Sequence, residues 1–227
     1  MASRKPSLER DLLDAARGLG HSLSQAAVWP NTGDVFEVKD DGVYELYCLA
    51  RLVEALLGAG DYELRYVAGT GALRNIFAKA PANKTGRPRF DVVSNATGAT
   101  LFQICHGTAI RDVDGVSRHP DISFQKGNAT DDPDFSEVVM IWDAKFRVAE
   151  TRRLTHSEVS YFILWAETLQ TTNVPDNTVL LGALQGLHGN TLITNGRFST
   201  ETNDLLQRKD VQECEGFWGT SNGNVRP

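Results

Sequence analysis

With 227 residues, 41% hydrophobic and 23% charged, the chain has the composition of a globular protein that can bury a full core without disulfides or a structural metal. Its net charge of −6 argues against a dedicated nucleic-acid coat protein, although the placement of charges matters more than their sum. The three cysteines (Cys48, Cys105 and Cys214) form no C-x-x-C pair, the N-terminus turns charged and amphipathic at once, and no run approaches the ~20 apolar residues of a membrane span, so a soluble cytoplasmic protein is expected.

Residues 7–19 predict a short amphipathic helix, with Leu8, Leu12, Ala15 and Ala16 on one side. A strap or loop containing Trp29-Pro30, Asn31 and Gly33 follows. A stronger helix is expected from about Gly42 to Leu57, capped by Asp40 or Asp41 and stopped by Gly58 and Gly60. Glu45 lies in line with Leu49, Leu52 and Leu56, at the edge of the apolar stripe, where a carboxylate needs a partner because burying an unpaired charge is costly. Strands are expected at 62–67, 89–94 and 100–106, the last two joined by a hairpin turn at 95–99. Two more follow at 120–125 and 137–146. Thr155 and Glu158 form a capping box that opens a helix over 155–170. Strands at 178–183 and 191–194, a helix around 202–209 and a mobile Gly-, Asn- and Ser-rich tail after Cys214 complete the chain. This order suggests an α/β sandwich around one central mixed sheet.

The chemistry gathers in two short stretches, His119-Pro120-Asp121 and Asp143-Ala144-Lys145. Side chains alternate along a strand, so Asp143 and Lys145 share one face and Ala144 points to the other. If the strands that carry them pair, Asp121 and Asp143 come within reach of one divalent cation. Two carboxylates, a backbone carbonyl and waters suit Mg²⁺ (or Mn²⁺), a hard ion that prefers oxygen. Such an ion acidifies a water and offsets the charge that develops on a phosphate, and Lys145 would hold the water and stabilise the transition state. These are the elements that phosphodiester hydrolysis needs.

With Pro120-Asp121, Asp143-Ala144-Lys145 and the upstream helical Glu45, the sequence resembles the PD-(D/E)XK nuclease superfamily. The resemblance covers roughly residues 40–195 and includes the element order αβββαβ. It implies an α/β, restriction-endonuclease-like fold with a central mixed β-sheet flanked by helices. It further implies that Glu45 completes the acidic cluster, that Asp121 and Asp143 bind metal with the carbonyl of Ala144 joining them, and that Lys145 serves the nucleophile. A further polar residue on the next helix is common in the family; His156, Glu158, Tyr161 and Glu167 are the candidates. A single nuclease domain over 1–227 is expected, with its catalytic core at about 40–195, residues 1–39 as helix and strap, and 210–227 as tail.

Between Arg65 and Arg89 stand Arg65, Arg74, Lys79, Lys84, Arg87 and Arg89 without an acidic residue, a stretch suited either to tracking a phosphate backbone or to forming a solvated loop. Lys84, Arg87 and Arg89 are therefore candidate DNA contacts, and so is His119 beside Pro120-Asp121. His106 reads as a packing or hydrogen-bonding residue of its strand. The expectation is a Mg²⁺-dependent endonuclease acting on DNA in restriction, defence, recombination or repair, with specificity supplied by homodimerisation or a partner protein. The alternatives are a nuclease-fold binding or assembly module without catalysis, and an RNA-processing nuclease.

Overall fold

The structure is a computed structural model that describes residues 40–57, 62–71, 82–169, 189–217 and 224–226. The expected helix at 7–19, the strap after it and the strand at 178–183 lie outside the described residues, as do Arg74 and Lys79.

The first described helix, α1 (Asp40–Leu57), starts two residues earlier than the apolar periodicity, so Asp40 and Asp41 lie in its first turn. Val43, Leu46, Tyr47, Leu49, Ala50, Leu52, Val53 and Leu56 are all buried, as a stripe of 3.6-residue period requires for a helix laid on a sheet. Then come β1 (Tyr62–Val67), β2 (Arg89–Ser94) and β3 (Thr100–His106) at the expected positions. The β2–β3 turn depends on Gly98, which has φ +70° and donates its N–H to the Ser94 carbonyl at 2.8 Å. That backbone conformation costs glycine least.

Two strands of two residues each, β4 (Ile110–Arg111) and β5 (Ser117–Arg118), form a separate hairpin that the sequence pattern did not announce. The chain returns to the main sheet with β6 (Ile122–Lys126) and, after a 3-10 turn, β7 (Val138–Lys145). Helix α2 (His156–Thr168) opens on the Thr155–Glu158 capping box, in which Thr155 accepts from the Glu158 N–H and Glu158 accepts from the Thr155 N–H. It is followed by β8 (Thr191–Thr194), α3 (Thr200–Arg208), β9 (Gln212–Glu215) and β10 (Asn224–Arg226). The last two strands fall within the stretch expected as a tail. β9 runs parallel to β8, and β10 pairs antiparallel with β9.

Among the described residues eight strands form one sheet in the order β1-β2-β3-β6-β7-β8-β9-β10. Pairing is antiparallel from β1 to β7, parallel from β7 to β9, and antiparallel again at the β10 edge. The protein is therefore α/β with a mixed central sheet and helices on both faces. One face carries α1 and the core of Ile104, Ile122, Phe124, Met140, Trp142 and Ala144. The other carries α2 and α3 over Ile141, Leu192, Val159, Phe162 and Leu206. Central β7 is buried on both faces, which explains its nearly continuous apolar run. Asp143 is the exception in that run. All three cysteines are buried free thiols, and among the described residues no helix is long and apolar enough to cross a membrane.

Candidate active site

The register of β6 and β7 decides what the two sequence stretches can do together. Ile122 pairs with Trp142, so Asp121, one step earlier, stands opposite Asp143 on the same face of the sheet. Pro120 brings no N–H to the ladder, and β6 begins just after it. At this margin the backbone N–H of Ala144 is taken by the Asp121 carboxylate, with Oδ2 at 2.7 Å. The alternation expected along β7 holds: Ala144 packs into the α1 core, while Asp143 and Lys145 lie on the other face.

Lys145 Nζ sits 2.6 Å from Asp143 Oδ2. Asp143 itself is 3% exposed, and its Oδ1 is buried with no hydrogen-bond partner. A buried carboxylate oxygen left without a donor is costly, so a proton or a cation is favoured beside it. The neighbours show the same pressure. Asp121 is raised well above the ordinary carboxylate range, first by burial and then by the charges of Asp143 and Glu45, and a proton on it can bridge to Asp143. Glu45, reaching from α1, is raised from 4.5 to about 7 by burial and by Asp143, against the opposing pull of Lys145. For Lys145, burial works against the charge, but the carboxylates of Asp143 and Asp121 outweigh it and raise the ammonium's pKa. The structure thus brings Glu45, Asp121, Asp143 and Lys145 into one electrostatic cluster. Asp121, Asp143, Ala144 and Lys145 are tied by direct contacts, while Glu45 joins through its charge.

Whether these residues suit a hard divalent ion can be judged from the donors. The set is all oxygen, one acceptor is orphaned, and two carboxylates face each other across a strand pair, as Mg²⁺ or Mn²⁺ prefers. Among the described residues no three His, Cys, Asp or Glu side chains form a ready-made cage. An ion here would rest on Asp121 and Asp143, with backbone carbonyls and waters completing its shell.

The candidate DNA contacts divide. Lys84 has to be withdrawn. It is 3% exposed, and its ammonium donates to Gln103 Oε1 and to the carbonyls of Thr130 (2.9 Å) and Ala129 (3.2 Å), so it fastens the loop after β6 onto the sheet rather than facing a phosphate. Burial lowers its pKa. Lys84→Met should remove three charge-assisted bonds, one buried and two part-buried, and cost about 2–3 kcal/mol in denaturant unfolding. A loss below about 0.5 kcal/mol, the range of ordinary surface changes, would return the lysine to the surface. Arg65 and Arg89 are engaged by flanking acids, Glu63 at 3.1 Å and Asp91 at 2.9 Å. The stretch is thus less basic than its sequence suggests, because strand alternation brings in acids two residues away. Arg87 is half-buried. His119 is also half-buried; desolvation lowers its pKa, and its Nδ1 is buried without a hydrogen-bond partner. Its imidazole is thereby held toward the neutral form.

No family model matches the chain. No curated protein matches it either. A crystal structure described as that of a protein of unknown function, AF1548, aligns with a TM-score of 0.33 at 13% identity, over 54% of this chain and 53% of that one. The match spans about half the length of that protein and carries no argument about fold or activity.

The polar residues of α2 point elsewhere. Glu158 is bound by Arg147 at 2.5 Å and by the helix cap, His156 lies 3.5 Å from Glu201, Glu167 pairs with Lys209 at 2.7 Å, and Tyr161 is 65% exposed. A residue that sequence reasoning set aside lies closer to the cluster. His106, at the end of β3, is buried with its Nε2 3.7 Å from Glu45 Oε2. One available signal was that both residues sit at apolar-face positions of their elements, where a lone polar group seeks another.

Proposed function

We propose that the chain is a Mg²⁺- or Mn²⁺-dependent endonuclease with a restriction-endonuclease-like fold. The observation that carries this reading is the pair of opposed carboxylates, Asp121 and Asp143, with Lys145 on one oxygen of Asp143 and the other oxygen buried without a donor. Asp121 and Asp143, with the Ala144 carbonyl, would hold the ion. When bound, the ion supplies Lewis-acid chemistry, polarising a phosphate oxygen and making a water more acidic. Lys145 lies beside the same carboxylates and offsets the negative charge that builds up on the phosphate in the transition state. Glu45, with a pKa near neutrality, is matched to taking up the proton that the attacking water gives away. DNA is the proposed substrate and the cytoplasm the proposed compartment. Its specificity would come from a second copy or a partner protein.

Arg87 is the remaining candidate for a phosphate contact in the basic stretch. Arg87→Ala should weaken DNA binding evenly across sequences and reduce the slope of log K against log salt by about 1. An unchanged slope would remove it from the interface.

A second reading, a binding or assembly module that keeps the fold without catalysis, is favoured by the lack of a three-ligand cage among the described residues. Incubating the purified protein with supercoiled plasmid, linear DNA and RNA, with and without Mg²⁺ or Mn²⁺, separates the readings. Metal-dependent nicking or linearisation of plasmid is expected. Cleavage of RNA alone would move the substrate class. No cleavage of any substrate and no divalent-ion binding would leave the module.

A further inference from the structure

We infer that His106 is a positioning residue for Glu45, fixing that carboxylate on the α1 side of the sheet, from which its charge reaches Asp143 and Lys145, whether or not it carries a proton. The inference rests on the nuclease reading for its consequence, but its geometry stands apart from it. His106 is the last residue of β3 and pairs with Ile122, which belongs to the core on the α1 side of the sheet. From there its Nε2 lies 3.7 Å from Glu45 Oε2, with the imidazole side chain 2% exposed and the carboxylate side chain 25% exposed. The next residue completes the connection. Gly107, at φ +57°, turns the chain so that its N–H donates to the Asp121 carbonyl at 2.8 Å. One dipeptide therefore approaches the α1 carboxylate through a side chain, at ion-pair rather than hydrogen-bond distance, and holds Asp121, just ahead of β6, through its backbone.

The choice of histidine fits the task. Leu49, Leu52 and Leu56 follow Glu45 along the same buried stripe, so the carboxylate needs a polar partner on the core side. The other groups that act on it are Asp143, Lys145 and Asp41, of which only Lys145 attracts a carboxylate. A lysine or arginine in place of His106 would favour the ionised carboxylate alone. An imidazole can accept an O–H from a protonated carboxyl and donate an N–H to an ionised one, so the contact survives a change of protonation. A group that takes up and releases a proton in each turnover needs that kind of support. Partners of this type, one step removed from the reacting atoms, commonly matter by about 10–100-fold when lost.

The test compares the parent with His106→Leu, which keeps the volume but removes both nitrogens, and His106→Gln, which keeps a donor and an acceptor. Single-turnover plasmid cleavage, Mn²⁺ affinity, thermal unfolding and the side-chain carboxyl ¹³C resonance of Glu45 would be recorded for each. His106→Leu should slow cleavage by ~10–100-fold with Mn²⁺ affinity nearly unchanged, and His106→Gln should recover most of the rate. The Glu45 resonance should move in the leucine variant and stay near the parent position in the glutamine variant. A leucine variant that cleaves at the parent rate overturns the inference. So does equal damage in both variants that follows their loss of thermal stability, which would make His106 a packing residue. If the parent itself cleaves nothing, the nuclease reading fails; an unmoved Glu45 resonance in His106→Leu would then overturn the contact as well, and a moved one would sustain it.

Discussion

Asp143→Ala is expected to lower plasmid cleavage by ~10³-fold and to abolish measurable Mg²⁺ or Mn²⁺ binding, whereas Lys145→Ala should lower cleavage by ~10²-fold while leaving ion affinity intact or tighter. The two residues lie on one face of β7 and touch through a 2.6 Å ion pair, yet they have opposite relations to a cation. Asp143 supplies the orphaned oxygen, so its removal would take away the proposed ligand together with the charge that would draw an ion in. Lys145 neutralises the same carboxylate. Without it Asp143 Oδ2 is also left without its donor, a condition that a divalent ion relieves. The apo protein should accordingly lose stability in Lys145→Ala and regain more of it on adding Mg²⁺ than the parent does. Ion titrations beside single-turnover rates decide the matter. A Lys145→Ala protein that cleaves at the parent rate would reduce the lysine to a structural counter-ion and sink the proposed mechanism. Asp143→Ala with undiminished ion affinity would put the ion elsewhere.

The elements that could be read from the sequence are those whose burial is regular. α1 buries one stripe, β7 is buried on both faces, and α2 begins at a capping box whose two hydrogen bonds are local in sequence. In each case the pattern that the chain must satisfy is written within about twenty residues. β9 was illegible for the opposite reason. Gln212, Glu213 and Cys214 are all buried, because parallel pairing with β8 puts a polar segment inside the sheet. β4 and β5 have two residues each, too few to show any alternation.

The candidate site divides along the same line. That Asp143 and Lys145 share a face follows from strand geometry alone, but that Asp121 stands opposite Asp143 depends on register, which a shift of one residue would have reversed. Lys84 was misread because a cation in a turn-rich stretch ordinarily faces water, and its burial is made tolerable by Gln103 and by the carbonyls of Ala129 and Thr130, over forty residues away. The approach of His106 to Glu45 joins a helix to a strand sixty residues later, beyond the reach of any local pattern.

The same burial makes the cluster sensitive to pH before any substrate is present. Glu45 titrates near 7 in the folded chain, against 4.5 for an unperturbed glutamate. Below about 4.5 both folded and unfolded chains hold the proton, and the contribution of Glu45 to stability is fully present. As pH rises toward 7 the unfolded chain releases the proton first, so that contribution is lost through this window and changes little above it. Asp121, raised in the same direction by burial and by Asp143, adds to the trend. Because a quarter of the Glu45 side chain meets solvent, the loss is expected to be about 1–2 kcal/mol rather than the full value of the shift. Asp112, Asp134 and Glu158 are lowered and run the other way, but they are common to parent and variant and cancel in the comparison. Glu45→Gln should therefore gain stability relative to the parent as pH goes from 5 to 8, by about that amount, in metal-free urea unfolding. Saturating Mg²⁺ should narrow the gap, since the ion favours the ionised cluster of the parent and offsets the repulsion that Glu45 adds. If the difference between the two proteins is the same at pH 5 and pH 8, Glu45 is an ordinary solvated carboxylate, uncoupled from Asp121 and Asp143, and its assignment to the acidic cluster is wrong.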